Sequence, residues 1–286
     1  MHYVDAKSIL SAKNGMNIYR GCTHGCIYCD SRSTVYGMNH KFEDIEVKRN
    51  SIELLKKSLL KRPKAMIGTG AMCDPYIPLE KHLEYMRKAL ELIYRYGFGF
   101  TCITKSDLIL RDLDILKKIN EKSKAVVQMT LTTADENLCR ILEPHVCTTK
   151  RRVEVLRTLN DNDIPTVVWL TPILPYINDS EENLTALIDE CRDAGVCGII
   201  YFGAGMTLRD GDRQYFYSKL DEHFPGLREK YIAEYGDSYA IASPRARELD
   251  DVFNQKTSEY GICSDNDEIF RYLSEFPQND RQAKLF

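Results

Sequence analysis

Residues 98–131 read FGFTCITKSDLILRDLDILKKINEKSKAVVQMTL. The stretch divides into three parts. Phe98 to Thr104 is an apolar run of strand length, Leu108 to Asn120 carries apolar residues at helical spacing, and Ala125 to Leu131 is a second strand-like run. Strands joined by a helix form a β-α-β unit, and such a unit lays its strands parallel. The alternation continues in both directions. Upstream, strands are expected at 16–20 and 65–69, with helices at 48–61 and from Leu79 to Tyr96. Downstream come helices at 134–142 and 149–160, a strand at 166–170, a helix at 180–192 and a strand at 198–202. A closed eightfold barrel takes about 250 residues. Six shorter units predict an α/β fold of the open type, a partial (β/α)6 TIM-type barrel. After about residue 206 the texture turns aromatic and charged. Helices are expected after Asp210 and at 225–235, 244–260 and 266–275. The expected division is a barrel core over 1–206, a helical C-terminal extension packed on it over 207–276, and a flexible tail over 277–286.

The bulk numbers exclude several classes. A chain of 286 residues with 43% hydrophobic and 28% charged residues has the composition of a globular protein. A net charge of −3 supplies no global basic field for nucleic acid, although local patches remain open. No apolar run reaches the roughly 18 residues of a membrane span. The opening Met1-His2-Tyr3-Val4-Asp5 lacks a basic-then-apolar signal, so a cytoplasmic location is the expectation. The ten cysteines then read as reduced thiols rather than a disulfide framework.

Three of them stand together in Gly21-Cys22-Thr23-His24-Gly25-Cys26-Ile27-Tyr28-Cys29, directly after the first expected strand. Thiolates bind soft metal centres, and a compact loop can turn three sulfurs toward one point. Three thiolates on a four-iron cubane leave one iron open to a small molecule. A zinc site is an alternative, with His24 as a fourth ligand, although the usual second ligand pair is missing. A thiol redox pair and a ferredoxin-type cluster are further alternatives.

Barrel enzymes carry their sites at the carboxyl ends of strands. The second strand ends in Gly68-Thr69-Gly70-Ala71-Met72-Cys73-Asp74-Pro75-Tyr76, where glycines permit close backbone approach to a ligand. The third ends at Lys105, a point charge suited to a carboxylate. On the fourth, Gln128, Thr130 and Thr132 share one face. Asn178-Asp179, after the fifth strand, are placed to cap the next helix. Lys150-Arg151-Arg152 opens a helix on the same face and is the better candidate among the basic clusters for a phosphate contact.

The cysteine loop resembles the signature of radical S-adenosylmethionine (SAM) enzymes, with Tyr28 in its aromatic place. The resemblance implies a (β/α)6 core and a [4Fe-4S] cluster held by Cys22, Cys26 and Cys29. It also implies SAM bound at the open iron, cleavage of SAM to a 5′-deoxyadenosyl radical that abstracts hydrogen, and an electron donor such as flavodoxin or ferredoxin. Within that superfamily the later blocks resemble the spore photoproduct lyase branch. These blocks are Asp74-Pro75-Tyr76 with Pro78 and Glu80, Thr104-Lys105-Ser106, Arg111-Asp112-Leu113, Glu143-Pro144 and Pro172 to Asp179. By that resemblance Gly68, Thr69 and Gly70 lie near the SAM amino group, Lys105 meets its carboxylate, Thr130 contacts SAM and Tyr28 lies beside the adenine. The branch's hydrogen-donating cysteine falls at Ala71 here, with Cys73 two residues on as the candidate donor. Its tyrosine after the third cysteine is replaced by Asp30. These departures leave the substrate open. A DNA lesion or nucleic-acid base is one expectation, a peptide or small metabolite another, and a non-enzymatic zinc-binding DNA-associated module a third. The terminal Gln282-Ala283-Lys284-Leu285-Phe286 resembles the bacterial sliding-clamp-binding pentapeptide at Gln282, Leu285 and Phe286, which names the clamp as a candidate partner.

Overall fold

The computed structural model describes residues 1–277. The clamp-like residues Gln282, Leu285 and Phe286 lie outside that range. The N-terminal part holds β1 (His2–Val4), β2 (Tyr19–Arg20), β3 (Glu46–Lys48), α1 (Ser51–Leu59), β4 (Met66–Thr69), α2 (Glu80–Leu83) and α3 (Tyr85–Tyr96). The middle alternates β5 (Gly99–Thr104), α4 (Leu113–Lys122), β6 (Ala125–Thr130), α5 (Glu136–Leu142), α6 (Thr149–Asn160), β7 (Thr166–Trp169), α7 (Glu181–Asp193) and β8 (Gly198–Ile200). The last part adds β9 (Gly205–Thr207), α8 (Asp212–His223), α9 (Leu227–Tyr235), β10 (Ala240–Ala242), α10 (Ala246–Tyr260) and α11 (Asn266–Ser274).

Five strands pair in the order β4-β5-β6-β7-β8, all parallel, with helices between them. This is the partial barrel that the alternation predicts. Its sixth position differs from the expectation. Residues 14–16 touch the barrel edge: Met16 N–H donates to the Gly68 carbonyl at 2.7 Å, and Gly68 N–H donates to the Asn14 carbonyl at 3.2 Å. The chain then leaves, and Tyr19–Arg20 pair antiparallel with β3 in a separate sheet of order β1-β3-β2. Val47, fully buried, is the register partner of the buried Tyr19 in that sheet, an apolar contact that draws the segment away from β4.

Strand alternation sorts the barrel's two faces. Val127, Met129, Val168 and Ile199 join the large core shared with the surrounding helices. Val126, Val167 and Ile200 point the other way and pack against Ile269, Tyr272 and Leu273 of α11, which fills this side of the sheet. A second core gathers Leu142, Leu174, Met206, Phe216, Leu220 and Tyr231 around Ile27 of the cysteine loop. Burying a side chain such as Ile27 contributes about 1.5–3 kcal/mol. The loop therefore rests on residues from α5, α8 and α9.

Two local expectations need correction. The helix expected from Leu79 to Tyr96 breaks at Glu84, whose φ is 55°. The fully buried Glu80 carboxylate explains the break: the chain bends so that Met86 N–H, at 2.9 Å, donates to it alongside Tyr19 Oη and Arg111. Asn178-Asp179 do not cap α7. Ser180 does, accepting from Asn183 N–H at 3.2 Å. Asn178 is buried and donates to the Thr132 carbonyl at 2.6 Å instead. Among the described residues, no helix is long and apolar enough to cross a membrane.

Candidate active site at the carboxyl ends of the strands

Two glycines shape the site because a side chain cannot fit at either. Gly21 has a φ of 87°, and a Cβ there would stand 2.4 Å from the Phe42 carbonyl oxygen. That close approach lets Cys22 N–H donate to the same oxygen at 3.1 Å, which sets the direction of the cysteine loop. Gly70 has a φ of 103°, and its Cβ would stand 2.1 Å from the Ile103 carbonyl oxygen. The second strand end thus lies directly over the third.

A cavity of about 780 Å³ opens there. Cys22, Cys26 and Cys29 line it, with Tyr28, Gly70, Cys73, Asp74, Lys105 and Thr130. Gly68 and Thr69 are not among its described lining residues, since the Gly68 backbone is taken up by residues 14–16. All ten cysteines are free thiols. Burial pushes the Cys22 thiol up to about 12 and raises Cys26 as well. Buried thiolates need a positive partner, and the iron of a cluster is one. Three free sulfurs in one cavity, with a lysine beside them, fit the donor set of a three-cysteine [4Fe-4S] cluster.

Asp74 organises the floor. Its Oδ1 accepts from Thr104 Oγ1 and Tyr76 N–H, both at 2.8 Å, and its Oδ2 accepts from Lys105 N–H at 2.8 Å. The same carboxylate faces His24 Nδ1 at 3.4 Å. His24 is buried, which pulls its pKa below the ordinary value, and that ring nitrogen is turned to Asp74. Burial pulls the Lys105 ammonium down, yet the negative neighbours Cys26, Glu143 and Asp74 outweigh it and hold the pKa above its ordinary value. Its Nζ lies 5.8 Å from the centre of the Tyr28 ring.

Tyr28 is fixed from behind. Its hydroxyl donates to Glu143, and Glu143 pairs with Arg152. Both ion-pair partners are essentially inaccessible. Arg152 is held on several sides: it also donates to the Thr130 carbonyl at 2.7 Å and the Cys147 carbonyl at 2.9 Å. Burial opposes ionisation of Glu143, but Arg152 and Lys105 win and depress its pKa. Of Lys150-Arg151-Arg152, the run expected to meet phosphate, the structure leaves only Lys150 exposed and outside an ion pair among the described residues. Arg152 is buried, and Arg151 is held by Asp107 at 2.9 Å and Glu154 at 3.0 Å. Helical spacing turns one member of the run inward.

Cys73 is buried on the cavity wall and donates its thiol to the Gly21 carbonyl at 2.7 Å. Asp30 accepts from Tyr36 Oη at 2.6 Å and pairs with Arg209 at 3.3 Å. Sequence reasoning missed the far wall, formed by Trp169, Phe202, the β9–β10 pair and Asp250. Trp169, the chain's single tryptophan, ends a barrel strand, and that was the one available signal. Its indole N–H donates to Gln128 at 2.7 Å, and Gln128 donates to Thr101 at 2.7 Å, a polar ladder across three strands.

A cavity lined by three free thiols at the carboxyl ends of a parallel partial barrel defines an α/β-barrel protein with a candidate cofactor site. The chain belongs to the Radical SAM superfamily, whose profile matches residues 16–188. Membership carries the superfamily's cofactors, a [4Fe-4S] cluster and SAM. An uncharacterized protein of Methanocaldococcus jannaschii is 32% identical over 180 residues, covering 62% of this chain and 67% of that one. An uncharacterized protein of Mycobacterium tuberculosis is 26% identical over 223 residues, covering 76% of this chain. The chain spans 65% of that mycobacterial protein's length. Among solved structures, spore photoproduct lyase complexed with dinucleoside spore photoproduct shares the fold. The TM-score is 0.66 at 16% identity, covering 90% of this chain and 78% of that one.

Proposed function

We propose that this protein is a radical SAM enzyme that abstracts hydrogen from a nucleic-acid base. Cys22, Cys26 and Cys29 would hold the cluster, which together with SAM would supply the electron and the hydrogen-abstracting radical chemistry. The chain's own residues bind, orient and shield. Lys105 offers its ammonium to the SAM carboxylate, with its backbone held by Asp74. Tyr28, pinned by Glu143, lines the same cavity as the three cysteines. One observation carries the substrate class, an aromatic step that starts on the cavity wall at Trp169 and Phe202 and continues onto Phe270 outside its lining. Phe202 is 59% exposed and Phe270 39%, their rings stack at 6.4 Å, and Trp169 packs against both at about 6 Å. Such a surface suits a base, because every base presents a π-face and stacking contributes about 1–3 kcal/mol per base. The fold shared with spore photoproduct lyase supports the same reading.

The test is anaerobic turnover with SAM and dithionite, scored for 5′-deoxyadenosine. Ultraviolet-irradiated oligonucleotide is expected to stimulate formation. Phe202→Ala should raise KM for that oligonucleotide roughly 5- to 100-fold at wild-type iron content. Stimulation by a peptide or small-metabolite pool, with none by any oligonucleotide, rejects the base reading. A second expectation concerns Lys105. Removing a charge-assisted contact costs about 1.5–3 kcal/mol, so Lys105→Ala should weaken SAM binding roughly 10- to 100-fold in equilibrium dialysis of cluster-loaded protein. An unchanged Kd removes Lys105 from the role.

A further inference from the structure

A second cluster of ligating side chains stands apart from the cavity. In the parallel β1–β3 pair, His2 is the direct partner of Glu46, so both side chains leave the sheet on one face. His40 reaches the same spot from the loop preceding β3, its ring edge-on to that of His2 at 4.8 Å. One ligand atom from each of His2, His40 and Glu46 lies within 4.8 Å of the others. None of the three lines the cavity described above.

The ring nitrogens are already sorted for coordination. His40 Nδ1 lies 3.0 Å from the Lys41 carbonyl, which only accepts, so that nitrogen carries the proton. Nε2 of the neutral ring is then a bare lone pair. It is buried without a hydrogen-bond partner and faces Glu46 Oε2 at 3.8 Å, too far for a hydrogen bond. His2 repeats the pattern: its Nδ1 donates to Asp44 at 3.0 Å, which leaves Nε2 free. Metal-bound histidines usually donate their second N–H to a carbonyl or carboxylate in this way, which fixes tautomer and ring orientation. Asp44 also holds the Met1 ammonium at 2.9 Å, so it has positive company, while no hydrogen bond reaches the Glu46 carboxylate among the described residues.

We propose that His2, His40 and Glu46 form a binding site for one divalent transition metal of the zinc class, separate from the cluster. Two imidazoles and one carboxylate suit zinc, which binds both donor types at about 2.0–2.2 Å. Ligand atoms within 4.8 Å of each other need only a small contraction to meet one ion. A metal here ties the N-terminal strand, the loop carrying His40, and β3 into one unit. That loop also supplies the Phe42 carbonyl on which Cys22 N–H rests at 3.1 Å. The ion therefore braces the underside of the cysteine loop from outside the cavity.

The experiment uses the untagged full chain, cluster-loaded so that Cys22, Cys26 and Cys29 are occupied, with zinc chloride added anaerobically and excess removed by gel filtration. The expected result is one zinc retained per chain above the full iron complement. At a zinc concentration about a hundred times Kd, the thermal midpoint should rise by roughly 5–10 °C. His40→Ala and Glu46→Gln should each lose the zinc and the thermal shift while keeping their iron. His2→Asn, on the more exposed partner, serves the same purpose where His40→Ala fails to fold. No retained zinc in the wild-type chain overturns the proposal, and so does zinc retained equally by the variants.

Discussion

Cys26→Ala is expected to abolish iron loading and SAM cleavage together. Cys26 is one of the three thiols that line the cavity, and it is buried. Loss of an outer-shell partner of a metal site already costs 10- to 100-fold in affinity or activity. Removal of a direct ligand should exceed about a hundredfold in 5′-deoxyadenosine formation. The control is Cys191→Ala. Cys191 is fully buried within α7 in the main core, far from any role in the cavity. It should keep its iron and its activity and lose only some thermal stability to the small void. Iron content by colorimetric assay and nucleoside yield by chromatography read both variants. Equal cleavage by Cys26→Ala and wild type would end the assignment of the cluster to this loop. A Cys191→Ala chain devoid of iron would show that the thiol count, rather than the loop, sets iron loading.

Arg152→Met is expected to be among the most destabilising single substitutions in the chain. It removes the paired counter-charge from Glu143, which is 1% exposed, and leaves the buried carboxylate with only the Tyr28 hydroxyl and the Lys105 charge to hold it. Breaking a buried ion pair from one side costs about 3–5 kcal/mol. For a chain of this size that corresponds to a drop of roughly 6–20 °C in thermal midpoint. Replacing both partners, as Glu143→Leu with Arg152→Met, should recover much of the loss, because no charge is then stranded. The double variant should still turn over SAM poorly, since Tyr28 loses the carboxylate that holds its hydroxyl. A shift under about 2 °C for Arg152→Met would mean that water reaches Glu143, contrary to its burial. The pair also predicts acid sensitivity. Glu143 titrates below the ordinary carboxylate range, so the stability it contributes is present above about pH 4.3 and is lost as pH falls through the depressed value.

The repeating apolar runs and the cysteine spacing were local properties, so they could be read directly. The alternation marks β4 through β8 and the helices between them because each strand and each amphipathic face must bury its own residues, whatever its neighbours do. Lys105 and Thr130 follow from that reading, since parallel barrel strands carry their sites at one end. The three cysteines, within eight residues of one another, marked a candidate metal-binding loop by their spacing alone. Non-local pairings were the part that could not be read. Tyr19–Arg20 has the composition of a barrel strand, yet it pairs with β3 because Val47 lies there to be covered. Arg152 belongs to a basic run, yet only the packing of α6 against Glu143 turns it inward and makes it a buried counter-ion. Phe202 and Phe270 are 68 residues apart, and His2 and His40 are 38 apart. Neither pair has any signature in the chain, because a stacking step and a shared ligand set exist only where tertiary contacts bring distant side chains to one point. Local patterning thus settled the barrel and the three-thiol centre in the loop of Cys22, Cys26 and Cys29, while the tertiary structure alone decided what surrounds that loop.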